Sequence, residues 1–479
     1  MKITSINNDG QIITREYDNR KCKFTVNNQE IVIKVPDEFF VNNAMKSIMG
    51  NCTNNGYVAE TTNTKNNNSG PFKLQNDIKE TQENKEKYFG NVSSRTKNSN
   101  LSTLKIQLGL GCNFSCSYCK QAIHADKAEA TNMQDLNKFI ETFDDWCTAP
   151  KDERIKIELW GGEPLVYFVK IKKLVEFLES RFDNIHFGMV TNGSLLTIPI
   201  VDYLLEHNIG ISVSYDGPMT TLHRDSDPLA EGSTSLEAIK YYTTKSKNIL
   251  YLNAVLTKNN INPKSLYESA KGALGDAKFL VGFEGMADVE NEDQCDSSDN
   301  LFNEDDYKVL RGTIKEQLLK GELELIQPFG SKMRALVRSW CNSTEMIFDN
   351  TLQKCGMDNP HIMAVNLRGE ALVCHSSDDV IGHVSDFENI SLNNSKVGHW
   401  NQKEECRSCP VLNLCRGSCM NIRGNEWYYT CNNEFHYNMA IFEAAYELIF
   451  DETILSIDDV IRPTKPVEKK IFKLKVVSA

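Results

Sequence analysis

The sequence predicts an α/β fold: a partial (β/α)6 barrel of the TIM-barrel type, a small β-rich N-terminal extension and a cysteine-rich C-terminal domain. Three observations support this prediction. Six apolar strand patterns alternate with helical patterns between residues 104 and 285. Short runs that alternate apolar and polar residues fill residues 2–35. Eight of the fifteen cysteines lie within 341–431.

The barrel is predicted over 101–290, with helices connecting parallel strands. Its strand patterns are LKIQLGL, IKIELW, IHFGMV, IGISVSY, ILYLNAVL and KFLVGFE. Helical patterns lie within 132–147 and at 168–182, 197–208, 234–246 and 264–274. In such folds, chemistry gathers on the loops that follow the carboxyl ends of the strands. The residues in those loops are Cys112, Gly161–Pro164, Thr191–Gly193 and Asp216–Pro218.

The flanking regions differ in character from the barrel. Residues 1–50 contain KITSI, QIITREY, KFTV and EIVIKV between turns, which predicts a small antiparallel sheet, and 37–49 could add a helix. Residues 51–100 are rich in Asn, Thr, Lys and Ser and are predicted to be a linker. Residues 291–340 are predicted to form a bridging segment with helices at 303–320 and 330–340. This segment leads into the cysteine-rich domain, which is predicted at 341–435. The remainder, 436–479, holds a helix over about 436–450 and an apolar–basic run, IFKLKVV, that could pair as a strand.

The composition is that of an ordinary globular protein, with 40% hydrophobic and 25% charged residues. The formal net charge of −12 argues against broad binding to nucleic acid or anionic membranes. We find no apolar run of about eighteen residues and no signal-peptide core, so we expect a cytoplasmic protein without a membrane partner. In a reducing compartment, grouped thiols are typically metal ligands rather than disulfides.

Cys112, Cys116 and Cys119 form the most informative motif, within GLGCNFSCSYCKQ. Three thiolates on one tight loop can bind three irons of a cubane iron–sulfur cluster and leave the fourth iron open. An open iron indicates electron delivery into a bound molecule rather than electron storage. On spacing alone, a structural zinc loop or a chance cluster of cysteines remains an alternative.

The cysteine trio, followed one βα unit later by WGGEP, resembles the radical S-adenosylmethionine (radical SAM) superfamily. The resemblance implies a 4Fe–4S cluster whose open iron is chelated by the amino and carboxylate groups of SAM. Carbonyls of the glycine turn and Glu163 would accept hydrogen bonds from the SAM ammonium. Arg224 would pair with the SAM carboxylate, unless it is a solvated surface charge. The SAM-binding residues implied by the family are Gly161, Gly162, Glu163, Pro164, Thr191, Asn192, Ser214 and Arg224.

The late cysteines match the seven-cysteine SPASM signature of radical SAM enzymes that modify peptides and proteins. The spacing is Cys355-x13-Gly369-x4-Cys374, then Cys406-x2-Cys409-x5-Cys415-x3-Cys419-x11-Cys431. The resemblance implies two auxiliary 4Fe–4S clusters, an inner one held by Cys355, Cys374 and Cys419 and an outer one held by Cys406, Cys409, Cys415 and Cys431. Cys341 is the candidate fourth ligand of the inner cluster, although an open site or a substrate ligand is an alternative. A zinc ribbon made of Cys406, Cys409, Cys415 and Cys419 would leave the other cysteines unexplained.

Three clusters and SAM imply a radical enzyme. Reductive cleavage of SAM would supply a 5′-deoxyadenosyl radical that abstracts an unactivated hydrogen from a peptide. The expected partners are a precursor peptide with a leader and a reductant such as flavodoxin or ferredoxin. The auxiliary clusters would offer an electron exit, which suits a net two-electron oxidation of the substrate.

Two features favour a peptide-crosslinking enzyme over a sulfatase maturase. The chain has about a hundred residues before the trio, which peptide maturases often use to bind the leader, although a sheet that caps the barrel is the alternative. The family's sulfatase maturases place an aspartate after the cysteine that corresponds to Cys374, whereas this chain has His375, a candidate base, with Asp378 close behind. The leading hypothesis is an aromatic-to-aliphatic carbon–carbon crosslink (a cyclophane) or an aryl ether. Thioether formation, formylglycine formation and a non-catalytic iron–sulfur electron-transfer protein are the alternatives.

Overall fold

The computed structural model describes residues 1–35, 37–40, 95–122, 131–286, 301–343 and 352–465. Most of the predicted linker and the predicted strand IFKLKVV lie outside the described residues. Of the predicted helix over 37–49, only Asp37–Phe40 is described, and it forms a 3-10 turn. No helix in the described part of the chain combines the length and the apolarity needed to cross a membrane.

The N-terminal residues form an antiparallel sheet, as their alternating pattern predicts. Consecutive strands pair as hairpins. A fifth strand, Glu452–Asp458, comes from the far end of the chain and pairs antiparallel with the first. The four N-terminal strands are β1 (Lys2–Asn7), β2 (Ile12–Asp18), β3 (Lys23–Val26) and β4 (Gln29–Ile31).

The second sheet has ten strands, and six consecutive ones in it are parallel and follow one another in chain order, as predicted. These strands are β5 (Thr103–Gln107), β6 (Ile155–Trp160), β7 (Ile185–Thr191), β8 (Gly210–Ser214), β9 (Leu250–Leu256) and β10 (Phe279–Met286). The edge strands are β11 (Ile326–Gln327), β12 (Ile362–Asn366), β13 (Glu370–Leu372) and β14 (Val380–His383). The spatial order is β11-β10-β9-β8-β7-β6-β5-β12-β13-β14, so the sheet is open between its end strands in the described residues.

Helices connect the parallel strands and cover the sheet, so Leu104, Ile106, Ile157 and Leu159 are fully buried. Those of the barrel are α1 (Met133–Glu141), α2 (Phe143–Trp146), α3 (Phe168–Arg181), α4 (Ile198–Glu206), α5 (Thr220–His223), α6 (Thr234–Lys245) and α7 (Pro263–Leu274). The later ones are α8 (Glu304–Leu319), α9 (Phe329–Asn342), α10 (Glu404–Arg407), α11 (Leu412–Cys415) and α12 (Gly424–Phe450), which precedes β15 (Glu452–Asp458).

The cysteine-rich region is joined directly to the first barrel strand. β12 pairs parallel with β5, in the register Ala364↔Lys105 and Asn366↔Gln107. β13 and β14 then extend the sheet as antiparallel strands. The segment after Cys374 is held against the end of β5, because Gln107 Nε2 donates to the carbonyls of His375 at 2.9 Å and Ser377 at 3.1 Å.

The C-terminal helix is longer than the sequence predicts. α12 begins at Gly424 rather than near residue 436, so Cys431 lies on the helix instead of in a turn-rich segment. The buried face of its first half carries polar residues, including Asn433, Glu434 and Asn438, which interrupt the apolar period. The strand β15 that follows the helix was not predicted either.

Candidate functional site

The cysteine trio lies on the loop after β5, which packs tightly against the glycine turn after β6. The Gly162 N–H donates to the carbonyl of Gly109 at 3.0 Å, and the Glu163 N–H donates to that of Gly111 at 3.0 Å. A Cβ on Gly162 would lie 2.4 Å from the Gly111 oxygen and 2.5 Å from the Leu110 oxygen. The glycines are therefore required for contact between two loops, which fixes the position of Cys112.

We expect Gly162→Ala to lower the free energy of unfolding by roughly 1–3 kcal/mol, because two backbone oxygens must move to admit the methyl group. The measurement is a urea unfolding curve, together with iron content after anaerobic reconstitution. Gly188→Ala on β7 is the matched control, since its Cβ would have no neighbour within 4 Å. Equal stability of the two variants would contradict the tight loop contact.

Glu163 is almost fully buried, at 1% exposure, and accepts hydrogen bonds from within the chain. Its Oε1 accepts from the Leu165 N–H at 3.0 Å and from Thr191 Oγ1 at 2.7 Å, and its Oε2 accepts from the Asn192 N–H at 2.7 Å. Burial raises the pKa of Glu163, and these hydrogen bonds oppose the rise. The carboxyl group thus ties together the loops after β6 and β7, and so brings three sequence-predicted residues into one place.

Arg224 lies directly after α5 and beside the cysteine loop. Its Nε donates to Asp216 Oδ2 at 2.8 Å, and its NH1 lies 4.0 Å from Cys116 Sγ. Tyr118, between the second and third cysteines, donates its hydroxyl to the same Asp216 carboxylate. The alternative of a solvated surface charge does not hold for Arg224, because only 9% of its side chain is exposed. Ser214 is the last residue of β8 and lies two residues before Asp216.

The three thiols of the trio influence one another. Burial raises the pKa of Cys116 to about 11; Arg224 opposes the rise, while Cys119 and Cys112 add to it. Burial likewise raises the pKa of Cys112, with Glu163 and Cys119 contributing. Binding of iron, which takes thiolates, would therefore have to displace these protons.

Cys355, Cys374 and Cys419 line one cavity of about 500 Å³, between the carboxyl ends of the barrel strands and the cysteine-rich region. Barrel residues that face this cavity include Lys105, Trp160, Ser212, Tyr251 and Gly282. Cys341 does not line it. That residue lies near the end of α9, where burial raises the pKa of its thiol and a hydrogen bond from the Val35 backbone opposes the rise.

His375 lines the same cavity, whereas Asp378 does not. The His375 ring stacks on Trp160 with a centroid distance of 3.7 Å, and its Nδ1 has no hydrogen-bond partner among the described residues. Burial lowers the pKa of His375 well below its usual value, and the charge of Lys105 lowers it further. Of the two candidate bases, only His375 lies where it could reach a molecule in the cavity.

Cys406, Cys409, Cys415 and Cys431 surround a second, much smaller cavity of about 20 Å³ that Trp427, Phe435 and Arg462 also line. Burial and the neighbouring thiols raise the pKa of Cys406. Among the described residues, no three metal-binding side chains converge on one point that could hold a single ion. A cubane cluster does not need such convergence, because each thiolate binds a different iron.

Several cavity residues escaped the sequence analysis. Lys354 forms an ion pair with Glu434 on α12 at 2.7 Å, and both line the large cavity. Lys105 on β5 forms an ion pair with Glu158 on β6 at 3.1 Å, in register across the two strands. The second pair could not be matched from sequence, because Lys105 is second in LKIQL and Glu158 is fourth in IKIELW, and only the register of β5 and β6 brings them opposite each other. The signal for Lys354 and Glu434 was hidden by their distance in sequence.

Comparison with known proteins agrees with this geometry. The family model of the radical SAM superfamily matches residues 106–268. An uncharacterized protein of Methanocaldococcus jannaschii is 30% identical over 295 residues, which cover 59% of this chain and 88% of that protein. The chain belongs to the radical SAM superfamily. Membership implies one 4Fe–4S cluster and SAM, and the loop with Cys112, Cys116 and Cys119 fits such a cluster.

Other radical SAM proteins are more distant. The radical SAM cyclopropyl synthase TigE of Paramaledivibacter caminithermalis is 24% identical over 205 residues, 39% of this chain and 42% of TigE. A cysteine-type anaerobic sulfatase-maturating enzyme of Clostridium perfringens is 22% identical over 369 residues, 72% of this chain and 95% of that enzyme. The solved structure of anSMEcpe with bound AdoMet and Cp18Cys peptide has a TM-score of 0.50 at 19% identity, and covers 73% of this chain and 97% of that one. This likeness supports the fold.

Proposed function

We propose that the protein is a radical SAM maturase that acts on a ribosomally made precursor peptide. The observation that carries the proposal is the grouping of ten cysteines into three sets: the trio on the loop after β5, three at the large cavity and four at the small one. This grouping matches the division expected for one SAM-binding and two auxiliary 4Fe–4S clusters. The solved structure of anSMEcpe, which holds AdoMet and a peptide, supports a peptide substrate.

The protein's own residues would position the reactants. When bound, the cluster on the trio and SAM would together supply the 5′-deoxyadenosyl radical. The loop contacts of Gly162 and Glu163 would fix Cys112 at the barrel opening. The cavity of about 500 Å³, lined by Trp160 and Phe283, is large enough for a few side chains of a bound peptide.

We infer that the reaction is an intramolecular crosslink, with an aromatic-to-aliphatic carbon–carbon bond or an aryl ether as the leading candidate, and a net two-electron oxidation. His375 in place of an aspartate after Cys374 supports a reaction other than formylglycine formation. A thioether is the nearest alternative. Formylglycine formation remains an alternative because of the similarity to the Clostridium perfringens enzyme.

We also propose that the inner auxiliary cluster, on Cys355, Cys374 and Cys419, has one iron without a cysteine ligand. Cys341 lies apart from Cys355, Cys374 and Cys419, so these three would leave one iron without a cysteine from α9. We propose that the electrons pass from the substrate through the auxiliary clusters, and that flavodoxin or ferredoxin reduces the cluster on the trio. A cytoplasmic location and leader binding by residues 1–50 complete the proposal.

The test is anaerobic reconstitution followed by co-expression with a short precursor encoded beside the chain. We expect about twelve irons per chain, for three 4Fe–4S clusters, and release of 5′-deoxyadenosine from SAM. Mass spectrometry should show a peptide that has lost two hydrogens. An unmodified peptide, together with formylglycine on a co-expressed sulfatase, would replace the crosslink by the alternative. Full iron content without SAM cleavage would contradict the proposal that the protein is a radical SAM enzyme.

A further inference from the structure

The loop Cys112–Cys119 forms hydrogen bonds with the tripeptide His223-Arg224-Asp225. His223 is the last residue of α5, and the other two residues follow it. The Ser117 N–H donates to the His223 carbonyl at 3.1 Å, and Ser117 Oγ lies 2.9 Å from His223 Nδ1. The Ser115 N–H donates to Asp225 Oδ2 at 2.6 Å. Two of the residues between the cysteines are thus anchored by the neighbours of Arg224. The anchoring fixes the distance between Arg224 and the loop.

The guanidinium of Arg224 is held in one orientation. Its Nε donates to Asp216 Oδ2, and Asp216, which is fully buried, also accepts from the Val255 N–H at 3.0 Å and from the Tyr118 hydroxyl. The guanidinium carbon lies 5.3 Å above the Tyr118 ring. With Nε turned to Asp216, NH1 points at Cys116 Sγ, 4.0 Å away.

We propose that Arg224 is a positioning residue that raises the reduction potential of the cluster on Cys112, Cys116 and Cys119, rather than a ligand of the SAM carboxylate. This inference rests on the proposed function, because it needs the cluster. A reduced cluster carries one more negative charge than an oxidised one. A fixed positive N–H group beside a cluster sulfur favours the reduced form, more strongly in a buried site than in water.

The inference predicts opposite effects for the two members of the buried ion pair. In Arg224→Gln the positive charge is lost, so the potential should become more negative. In Asp216→Asn the counter-charge of Arg224 is lost, while an acceptor remains for Val255 or Tyr118, so the potential should become less negative. Arg224→Lys keeps the charge without the rigid fork and should lie between Arg224→Gln and the unchanged protein.

The experiment is a redox titration of the reconstituted holoenzyme without SAM, followed by electron paramagnetic resonance. The signal that disappears in the Cys112→Ala/Cys116→Ala/Cys119→Ala variant identifies the relevant cluster. We expect Arg224→Gln to reduce the ratio of reduced to oxidised cluster about tenfold at a fixed potential, which corresponds to 59 mV for a one-electron couple. Equilibrium dialysis with labelled SAM, on the same samples, measures the affinity for SAM.

Three outcomes decide the inference. Opposite shifts for Arg224→Gln and Asp216→Asn support it. An unchanged potential with weaker SAM binding in Arg224→Gln overturns it in favour of a SAM-carboxylate role. If Arg224→Gln does not retain the cluster, Arg224→Lys and Asp216→Asn still give two potentials, and shifts of both in the same direction overturn it. If the cysteine variant loses no iron and no signal, the proposed function itself fails, which is a different result from a cluster whose potential ignores Arg224.

Discussion

Replacing Cys112, Cys116 and Cys119 together by alanine is expected to abolish SAM cleavage and to remove about four of about twelve irons. The remaining irons should stay, because the cysteines of the other two sets come from outside the loop after β5, which contributes Lys120 but no cysteine to the large cavity. Iron analysis and detection of 5′-deoxyadenosine measure the two effects. The effect on SAM cleavage should be complete, since no other side chain supplies an iron next to SAM.

The contrasting variant replaces Cys406, Cys409, Cys415 and Cys431 by alanine. It should also lose about four irons, yet retain SAM cleavage, while modification of the peptide stops because an electron exit is missing. Cys147→Ala is the control, since this buried cysteine lies on the barrel outside all three sets. SAM cleavage by the trio variant, or zinc in place of iron in any set, would contradict the assignment of clusters.

The barrel strands and helices could be predicted because their residues follow the local rules of periodicity. Each of these six strands is found where an apolar pattern predicts it, and the five helical patterns between them correspond to α1 through α4, α6 and α7, whereas the short α5 was not predicted. The prediction was least accurate where tertiary contacts override the pattern. α12 buries Glu434 and Asn438 by pairing them with each other and with Lys354 and Lys332, so polar residues interrupt the apolar period of the helix in the sequence.

The site could be predicted as a set of residues, but not as a set of contacts. Spacing, interpreted through the resemblance to the SPASM signature, separated the cysteines that line the large cavity from those that line the small one. It could not place Cys341, whose position depends on how the end of α9 meets the N-terminal residues. Nor could it assign Glu163, which resemblance places beside SAM but which accepts three hydrogen bonds from its own chain. Such roles depend on which residues of different loops contact one another in the folded protein.

The N-terminal sheet is part of the core, and its best test is Phe24→Ala. Phe24 is 1% exposed and packs against Tyr17, Trp340 and Phe450, with ring centroids 4.6, 5.1 and 5.1 Å away. We expect the substitution to lower the free energy of unfolding by about 3–5 kcal/mol, because it empties a site shared by β3, α9 and α12.

The same variant tests whether the N-terminal sheet, which we propose binds the leader, unfolds together with the rest of the chain or as an independent module. If the sheet caps the fold, the midpoint of urea unfolding falls for the whole chain, as measured by tryptophan fluorescence of residues in the barrel and the cysteine-rich region. Ile12→Ala is the control, because Ile12 is 69% exposed on the same sheet and should change the free energy of unfolding by less than about 0.5 kcal/mol. A Phe24→Ala protein with unchanged unfolding but weakened peptide binding would mean that the sheet is an independent module. The buried ion pair between Arg15 on β2 and Glu452 on β15 argues for the first result, since it ties the N-terminal sheet to the end of the chain that follows α12.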